Sequence, residues 1–176
     1  MDVETKKKAF EFLLTQMLHW GAEMSPVAPI HTFTRLKALK LLFFAAAVKN
    51  EQGCDLLDVF DNFYALPNGP VESDIYNSIT SDDLMFYSFS DFYLKGKQVY
   101  NDFVLDCVIK DRITSAVNSL RMRNERIIFY KAEELVALSH SWASWQNSIQ
   151  IARALGKGSY KMEVGNIRAN IQIFVI

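Results

Sequence analysis

The N-terminal segment has the apolar spacing of an amphipathic helix. Its apolar side chains recur one helical turn apart, at Phe10, Leu13, Leu14, Met17 and Leu18. This period predicts a first helix with one buried face, and places Lys6, Lys7, Glu11 and Gln16 on the solvated side. We expect Gly21 to end the helix, and the stretch 25–31, which contains two prolines, to form a linker loop.

A second helix is predicted from Arg35 to about Lys49, with Thr32 or Thr34 as its N-cap. Its first half is amphipathic, with Leu36 and Leu39 opposed to Lys37 and Lys40. Residues 41–47 are apolar on all sides, and such a helix has to be buried on every side. We therefore place this helix, about residues 36–49, at the centre of the fold.

The middle of the chain predicts a corner between two elements. Segment 56–66 fits a short strand or a helical turn, and the Pro67-Asn68-Gly69-Pro70 corner fits neither. We expect Gly69 to supply backbone freedom and Pro70 to lie in the first turn of a third helix. Glu72 falls in the same turn, where a carboxylate complements the helix dipole. Val71, Ile75 and Ile79 are then expected on one face of that helix.

The rest of the chain predicts one hairpin and four more helices. The Lys95-Gly96-Lys97 sequence is expected to turn between 92–94 and 99–100. The apolar pattern then predicts helices at about 104–120, 131–140, 142–155 and 163–173. The C-terminal residues 171–176 are uncharged and β-prone, so we expect them to be protected by the core or by a partner.

Composition agrees with one helical domain. The chain has 176 residues, of which 50% are hydrophobic and 22% charged, so it is long enough to bury a core. Glycine and proline are scarce, at 7 and 4 residues, which disfavours a turn-rich sandwich or barrel. The fold class expected is mainly α: a compact helical bundle of residues 1–176 around the buried central helix, with a small β-hairpin or short strands.

Charge is unevenly distributed although the net charge is only −1. Residues 50–106 carry 11 acidic and 2 basic side chains, whereas residues 107–176 carry 5 acidic and 10 basic ones. The near-zero net charge disfavours a polybasic nucleic-acid binder. The acidic middle is expected mainly to pair with the basic remainder; the alternative is a face for a basic partner.

No group of potential catalytic residues has a recognisable spacing along the chain. His19, His31 and His140 have no ligand-spaced partner, and Cys54 and Cys107 form no CxxC motif. The Asp82-Asp83 pair predicts a solvated turn, and the glycine-containing residues 156–159 are too few to form a phosphate-binding loop. We expect no catalytic, metal or cofactor site; a hydrolase or nuclease using one of these histidines opposite a cysteine or carboxylate stays a distant alternative.

Structural roles are the preferred interpretation of the corner and of the two C-terminal tryptophans. Gly69 and Pro70 are expected to be backbone devices of the corner. Trp142 and Trp145 are expected at the edge of the core, with an interface as the alternative. His140 is expected to be a hydrogen-bonded residue at a helix end.

The cysteines are expected to be free thiols in the cytoplasm, and no apolar run approaches the length of a membrane span.

Three segments in order along the chain resemble a known family. They are Leu36-Lys37-Ala38-Leu39-Lys40-Leu41-Leu42-Phe43-Phe44-Ala45-Ala46, then Asn68-Gly69-Pro70-Val71 followed by Tyr76, then Leu138-Ser139-His140 with Trp142 and Trp145. This set is similar to the Panacea domain, a phage-associated family whose pattern is a K-L-L-Y-[FY]-A helix, a Y-G-P-V corner and an L-[ST]-H…W segment. The match spans residues 33–170; Phe43 and Asn68 replace the family's usual tyrosines, and 81–102 matches nothing.

The resemblance implies a mainly helical antitoxin that neutralises a toxin encoded by an adjacent gene, by direct protein contact and without catalytic residues. No cofactor, nucleic-acid or membrane partner is expected. The resemblance also implies an alternative, an adaptor that delivers the toxin to a cytoplasmic protease. A phage-assembly protein is a third possibility. The positions marked as family motif and possible partner contacts are Tyr64, Asn68, Gly69, Pro70, Val71, Tyr76, His140, Trp142 and Trp145.

Overall fold

A computed structural model describes residues 1–25, 33–90, 93–97 and 104–175. The helices are α1 (Val3–Met24), α2 (Arg35–Ala47), α3 (Ser73–Thr80), α4 (Cys107–Arg123), α5 (Ala132–His140), α6 (Ala143–Ala154) and α7 (Val164–Ala169), with a 3-10 turn at Ile127–Phe129. The strands are β1 (Phe63–Leu66), β2 (Gly69–Glu72), β3 (Tyr87–Phe89), β4 (Leu94–Gly96) and β5 (Tyr160–Lys161). The fold is therefore mainly α with small antiparallel sheets, as the sequence predicts.

Helix α2 lies at the centre of the fold, which confirms the main prediction from the apolar pattern. Thr34 caps it, because its hydroxyl accepts a hydrogen bond from the backbone N–H of Lys37. All residues from Lys37 to Ala47 are buried, and α1, α4, α5 and β2 pack around the helix. It ends at Ala47, slightly before the expected end. The alternative cap, Thr32, lies outside the described residues.

Several charged side chains expected on solvated faces are instead buried. Lys37 and Lys40 of α2 are enclosed, and so are Lys6, Lys7 and Glu11 of α1. The expectation for these five residues was wrong because periodicity within one helix does not show which neighbouring elements cover its polar side. Burial of ionised groups is tolerated where distant parts of the chain supply hydrogen-bond partners.

Helix α1 also continues past Gly21, contrary to the expected end there. Gly21 is buried, and its carbonyl accepts a hydrogen bond from the backbone N–H of Ser25. Glycine inside a helix costs only about 1 kcal/mol relative to alanine, and burial of Trp20 next to it outweighs that cost. Most of the expected linker, residues 26–31, lies outside the described residues.

The corner at 67–70 is a β-hairpin turn and not the start of a helix. Leu66 lies opposite Gly69, and Ala65 lies opposite Pro70, so Gly69 and Pro70 belong to β2. The expectation that Pro70 and Val71 belong to α3 was therefore wrong. Helix α3 begins after them, where the Glu72 carboxylate accepts a hydrogen bond from the backbone N–H of Ile75.

Strands β2, β1 and β5 form a three-stranded antiparallel sheet in that order, and β3 and β4 form a separate hairpin. In this hairpin Ser88 lies opposite Lys95, so Lys95 and Gly96 are strand residues. The expected turn at 95–97 was wrong, because Lys95 and Gly96 pair with β3 and the backbone N–H of Lys97 donates to the carbonyl of Phe86. Residues 99 and 100 lie outside the described residues.

The C-terminal half differs from expectation mainly at element ends. Helix α4 starts at Cys107, because the Asp106 carboxylate caps it through the N–H of Val108. The last helix ends at Ala169, and the residues after it form no strand within the described part of the chain. Phe174 is buried against the core, whereas Ile171 is 86% exposed, so protection of this segment is confined to part of it. None of the described helices is long and apolar enough to cross a bilayer.

Candidate functional site

The three segments that carry the family resemblance meet at Gly69. The ammonium group of Lys40, from α2, donates a 2.6 Å hydrogen bond to the carbonyl of Pro70 in β2. A Cβ atom at Gly69 would collide with the hydroxyl of Ser139, from α5, and would lie 3.0 Å from Nζ of Lys40. Side chains from three distant parts of the sequence therefore enclose this strand residue.

Gly69 is required here for two reasons. Its φ of +94° lies in the region that residues with a side chain rarely adopt. The space that a side chain would occupy is filled by Ser139 and Lys40. The expectation that Gly69 is a backbone device is confirmed. Pro70 contributes its carbonyl oxygen, the acceptor for Lys40.

Lys40 is fully buried and forms no salt bridge within the described residues. Burial lowers the pKa of Lys40 from 10.5 to about 7, because removal from water disfavours the charged form. Lys37, one turn earlier, has a pKa lowered to about 8 by burial, which Glu134 partly opposes. Its ammonium group lies 5.0 Å from the centre of the Phe33 ring. Helix α2 thus carries two buried and poorly compensated amines, of which Lys40 lies against the hairpin.

His140 and Trp145 form a stacked pair beside the same hairpin. Their ring centres are 3.8 Å apart and their planes differ by 8°. The indole N–H of Trp145 donates to the carbonyl of Leu66, at the end of β1. Burial and the nearby Lys40 charge lower the pKa of His140. A hydrogen bond to the backbone of Pro67 acts to raise that pKa, and the His140 carbonyl accepts from the side chain of Gln146. His140 is the last residue of α5, so the expected hydrogen-bonded role at a helix end is confirmed, although its buried Nε2 atom has no partner among the described residues.

Trp142 is a core residue. It is fully buried, its N–H donates to the carbonyl of Ile173, and its ring packs edge-on against Phe43 with centres 5.0 Å apart. Trp145 is also largely buried. Burial of both tryptophans agrees with their structural interpretation, and Trp145 supports the hairpin through its hydrogen bond to Leu66.

A surface groove of about 350 Å³ lies between α2 and the β1–β2 hairpin. It is lined by aliphatic side chains together with a few polar ones at its edge: Arg35, Leu36, Leu39, Leu66, Pro67, Asn68, Val71 and Tyr76. Among the predicted positions, Asn68, Val71 and Tyr76 come together here. Tyr64 is half-buried in β1 and does not line the groove. We call this feature the hairpin groove.

The α2 side of the hairpin groove was missed by sequence reasoning. Arg35 is exposed, and its guanidinium lies 5.8 Å from the centre of the Tyr76 ring. Leu36 and Leu39 are one turn apart on α2 and provide apolar surface. The available signal was their helical spacing, which was assigned to the core instead. A larger groove, of about 490 Å³, is lined mostly by polar side chains and contains none of the predicted positions.

A second cluster of charge is structural. The carboxylates of Asp61, Glu72 and Asp74 lie within 4.8 Å of one another, close enough for a metal ion. The ammonium group of Lys6 lies among them and forms salt bridges with all three. Burial acts to lower the pKa of Lys6, but these hydrogen bonds raise it above its usual value. A lysine therefore supplies the positive charge that the carboxylates need.

Most of the acidic middle segment is paired in the same way with basic residues. Its carboxylates that form salt bridges are Asp55, Asp58, Asp61, Glu72, Asp74, Asp82 and Asp83. Most of their partners come from the two ends of the chain and include Lys7, Arg112 and Arg168, whereas Asp82 pairs with Lys97 of the same segment. The expected internal pairing is confirmed, and it neutralises much of the acidic face that a basic partner would need.

The other candidates from the sequence are dispersed. Cys54 and Cys107 are free thiols and exposed, and the His19 side chain is exposed. His31 lies outside the described residues. Asp82, with a φ of +54°, lies in the expected turn with Asp83. Comparisons of the chain with protein-family models, with curated proteins and with solved structures give no match.

Proposed function

We propose that this protein is an antitoxin-like binding module that neutralises a cognate toxin by direct contact in the cytoplasm. The observation that carries the proposal is the meeting of the three family-like segments at Gly69. Lys40, Pro70 and Ser139 come from segments far apart in sequence. Their meeting at one site gives a structural reason why the three segments occur together in one chain.

The hairpin groove is the proposed contact surface. Its polar edge includes Asn68, which is exposed, and Tyr76, which is half-buried. Tyrosine is one of the residue types that most often dominate the binding free energy at protein interfaces, and Tyr76 lies beside an apolar floor. The hydrogen bonds from Trp145 to Leu66 and from Lys40 to Pro70 hold the hairpin in place, so that little ordering is needed on binding.

The test is expression of the neighbouring reading frame with and without this protein, scored by cell growth. We expect the neighbour alone to arrest growth, and co-expression to restore growth and to yield a soluble complex. The Asn68→Arg and Tyr76→Ala variants should lose rescue while remaining folded, whereas Asn118→Arg, in the polar groove, should keep it. A neighbour that cells tolerate alone would refute the proposal.

The amount of the neighbouring protein distinguishes direct neutralisation from delivery to a protease. Direct binding predicts an unchanged or higher level on immunoblots when the two proteins are co-expressed. Delivery to a protease predicts a lower level, which returns when the cytoplasmic proteases are deleted. Rescue that depends on those proteases would favour the adaptor function over the one proposed here.

A further inference from the structure

We propose that the hairpin groove receives a protein segment in which an apolar side chain is flanked by carboxylates. This inference rests on the proposed function in taking the occupant to be a protein. It goes beyond it by giving the chemistry of the segment that binds.

The apolar part of this recognition comes from the floor of the groove. Leu36, Leu39, Leu66 and Val71 line it together with Pro67. Its volume of about 350 Å³ is at the lower end of the range of roughly 300–1,000 Å³ for ligand pockets. A groove of this size accommodates a large side chain of a partner and part of its backbone, and burial of that side chain provides most of the binding free energy.

The acidic part comes from Arg35 at the edge. Arg35 is exposed, contacts the Tyr76 ring, and forms no salt bridge with any residue in the described ranges. Its guanidinium can therefore bind a carboxylate in two-point geometry without breaking an existing ion pair. A carboxylate next to an inserted apolar side chain would be well placed to reach it.

The surroundings of the groove offer little negative charge to compete for Arg35. Behind the hairpin, the amine of Lys40 donates to the carbonyl of Pro70 and forms no salt bridge within the described part; because burial lowers its pKa to about 7, it carries only part of a positive charge at neutral pH. The nearest acidic residues along the hairpin, Glu72 and Asp74, are already bound to Lys6. Glu134 acts on Lys37 from the surface of α5. An acidic segment is therefore attracted to this face, whereas a basic one is repelled.

This conclusion is the opposite of the alternative that the charge pattern left open, a face for a basic partner. The acidic middle segment suggested a face for a basic partner, yet its carboxylates largely pair with basic residues of the same chain. The unpaired charge next to an apolar groove is positive. Charge complementarity thus selects a partner segment that is apolar and acidic.

The test uses the full chain and three fluorescein-labelled ten-residue peptides, measured by fluorescence anisotropy at low salt. The first peptide has a central Leu-Phe pair flanked by glutamates, the second has the same pair flanked by lysines, and the third has glutamates around a Ser-Asn pair. We expect the first to bind at least about ten-fold more tightly than the other two. Comparable binding of the basic peptide, or no binding of the first up to about 1 mM, would overturn the inference.

A pair of charge-reversal variants locates the site. Arg35→Glu should weaken binding of the acidic Leu-Phe peptide at least about five-fold. Arg123→Glu changes the net charge equally at an exposed residue outside the groove, and should change the affinity less than about two-fold. Equal effects of the two variants would refute the site. Both residues are exposed, and circular dichroism checks that both variants fold.

A groove-floor variant tests the apolar component. Leu36→Ser should weaken binding of the same peptide, and because Leu36 is half-buried, its melting temperature is measured in parallel. Peptide binding does not depend on the neighbouring gene. If the acidic Leu-Phe peptide binds selectively but the neighbouring protein is not toxic, the proposed function is refuted and this inference stands. If the neighbouring protein is toxic and is neutralised but the acidic peptide does not bind, the proposed function stands and this inference is refuted.

Discussion

Lys40→Met tests whether a buried amine makes stability depend on pH. Lys40 is fully enclosed, its only hydrogen-bond acceptor in the described residues is the carbonyl of Pro70, and burial lowers its pKa to about 7. In the unfolded chain the same amine has a pKa near 10.5. The folded and unfolded states therefore bind different numbers of protons over that interval.

The sign follows from which state holds the proton. Below pH 7 both states are protonated at Lys40, so this residue adds no pH dependence. Above pH 7 the folded protein loses the proton while the unfolded chain keeps it until about pH 10.5. Since the unfolded state binds more protons, the free energy of unfolding rises with pH in this window.

The magnitude follows from the width of the window. Each pH unit in which only the unfolded chain is protonated adds about 1.4 kcal/mol. Lys40 is half-protonated at pH 7, so its contribution between pH 7 and pH 9 is about 2 kcal/mol. Lys37, with a pKa of about 8, should add about 1 kcal/mol over the same range by the same reasoning.

Urea unfolding at pH 7, 8 and 9 measures the effect. We expect the stability gain of Lys40→Met from pH 7 to pH 9 to be smaller than that of the wild type by about 2 kcal/mol. Loss of the hydrogen bond to Pro70 shifts stability at every pH and leaves this difference unchanged. Lys157→Met, at an exposed lysine, should retain the wild-type gain. An equal gain in Lys40→Met and wild type would refute the reasoning.

Three further predictions concern stability at pH 7, each measured by urea unfolding. Gly69→Ala should destabilise the fold by about 2–4 kcal/mol, because the site combines a positive φ with a filled space. The control Gly158→Ala, at a glycine with open space around it, should change stability by less than about 1 kcal/mol. Equal effects of the two variants would contradict the argument. Phe43→Ala should cost about 3–5 kcal/mol through the cavity left in the centre of the core, and a loss below about 1 kcal/mol would show that α2 is misplaced. Lys6→Met should cost about 3–5 kcal/mol because it leaves a buried carboxylate without its partner, whereas Lys8→Met, which breaks no salt bridge of the described residues, should be nearly neutral.

Features that depend on neighbours in sequence were predictable. The all-apolar run 41–47 requires burial wherever it packs, so the central position of α2 followed from the sequence. Gly69 was identified because a tight turn needs its backbone freedom, and the structure gives it a φ of +94°. The position of Glu72 at the start of α3 followed from the preference for carboxylates at helix N-termini.

The site itself was decided by tertiary structure. Lys6 and Lys40 have the spacing of solvated lysines, and they are buried because carboxylates and a carbonyl from residues 61–74 reach them across the core. Pro70 lies in a strand because β1 pairs with it, a choice that local turn preferences could not make. The hairpin groove exists only where α2 packs beside that pair. Local sequence determines periodicity and backbone freedom, whereas the compensation of buried charge and the shape of a groove require contacts between residues that are distant along the chain.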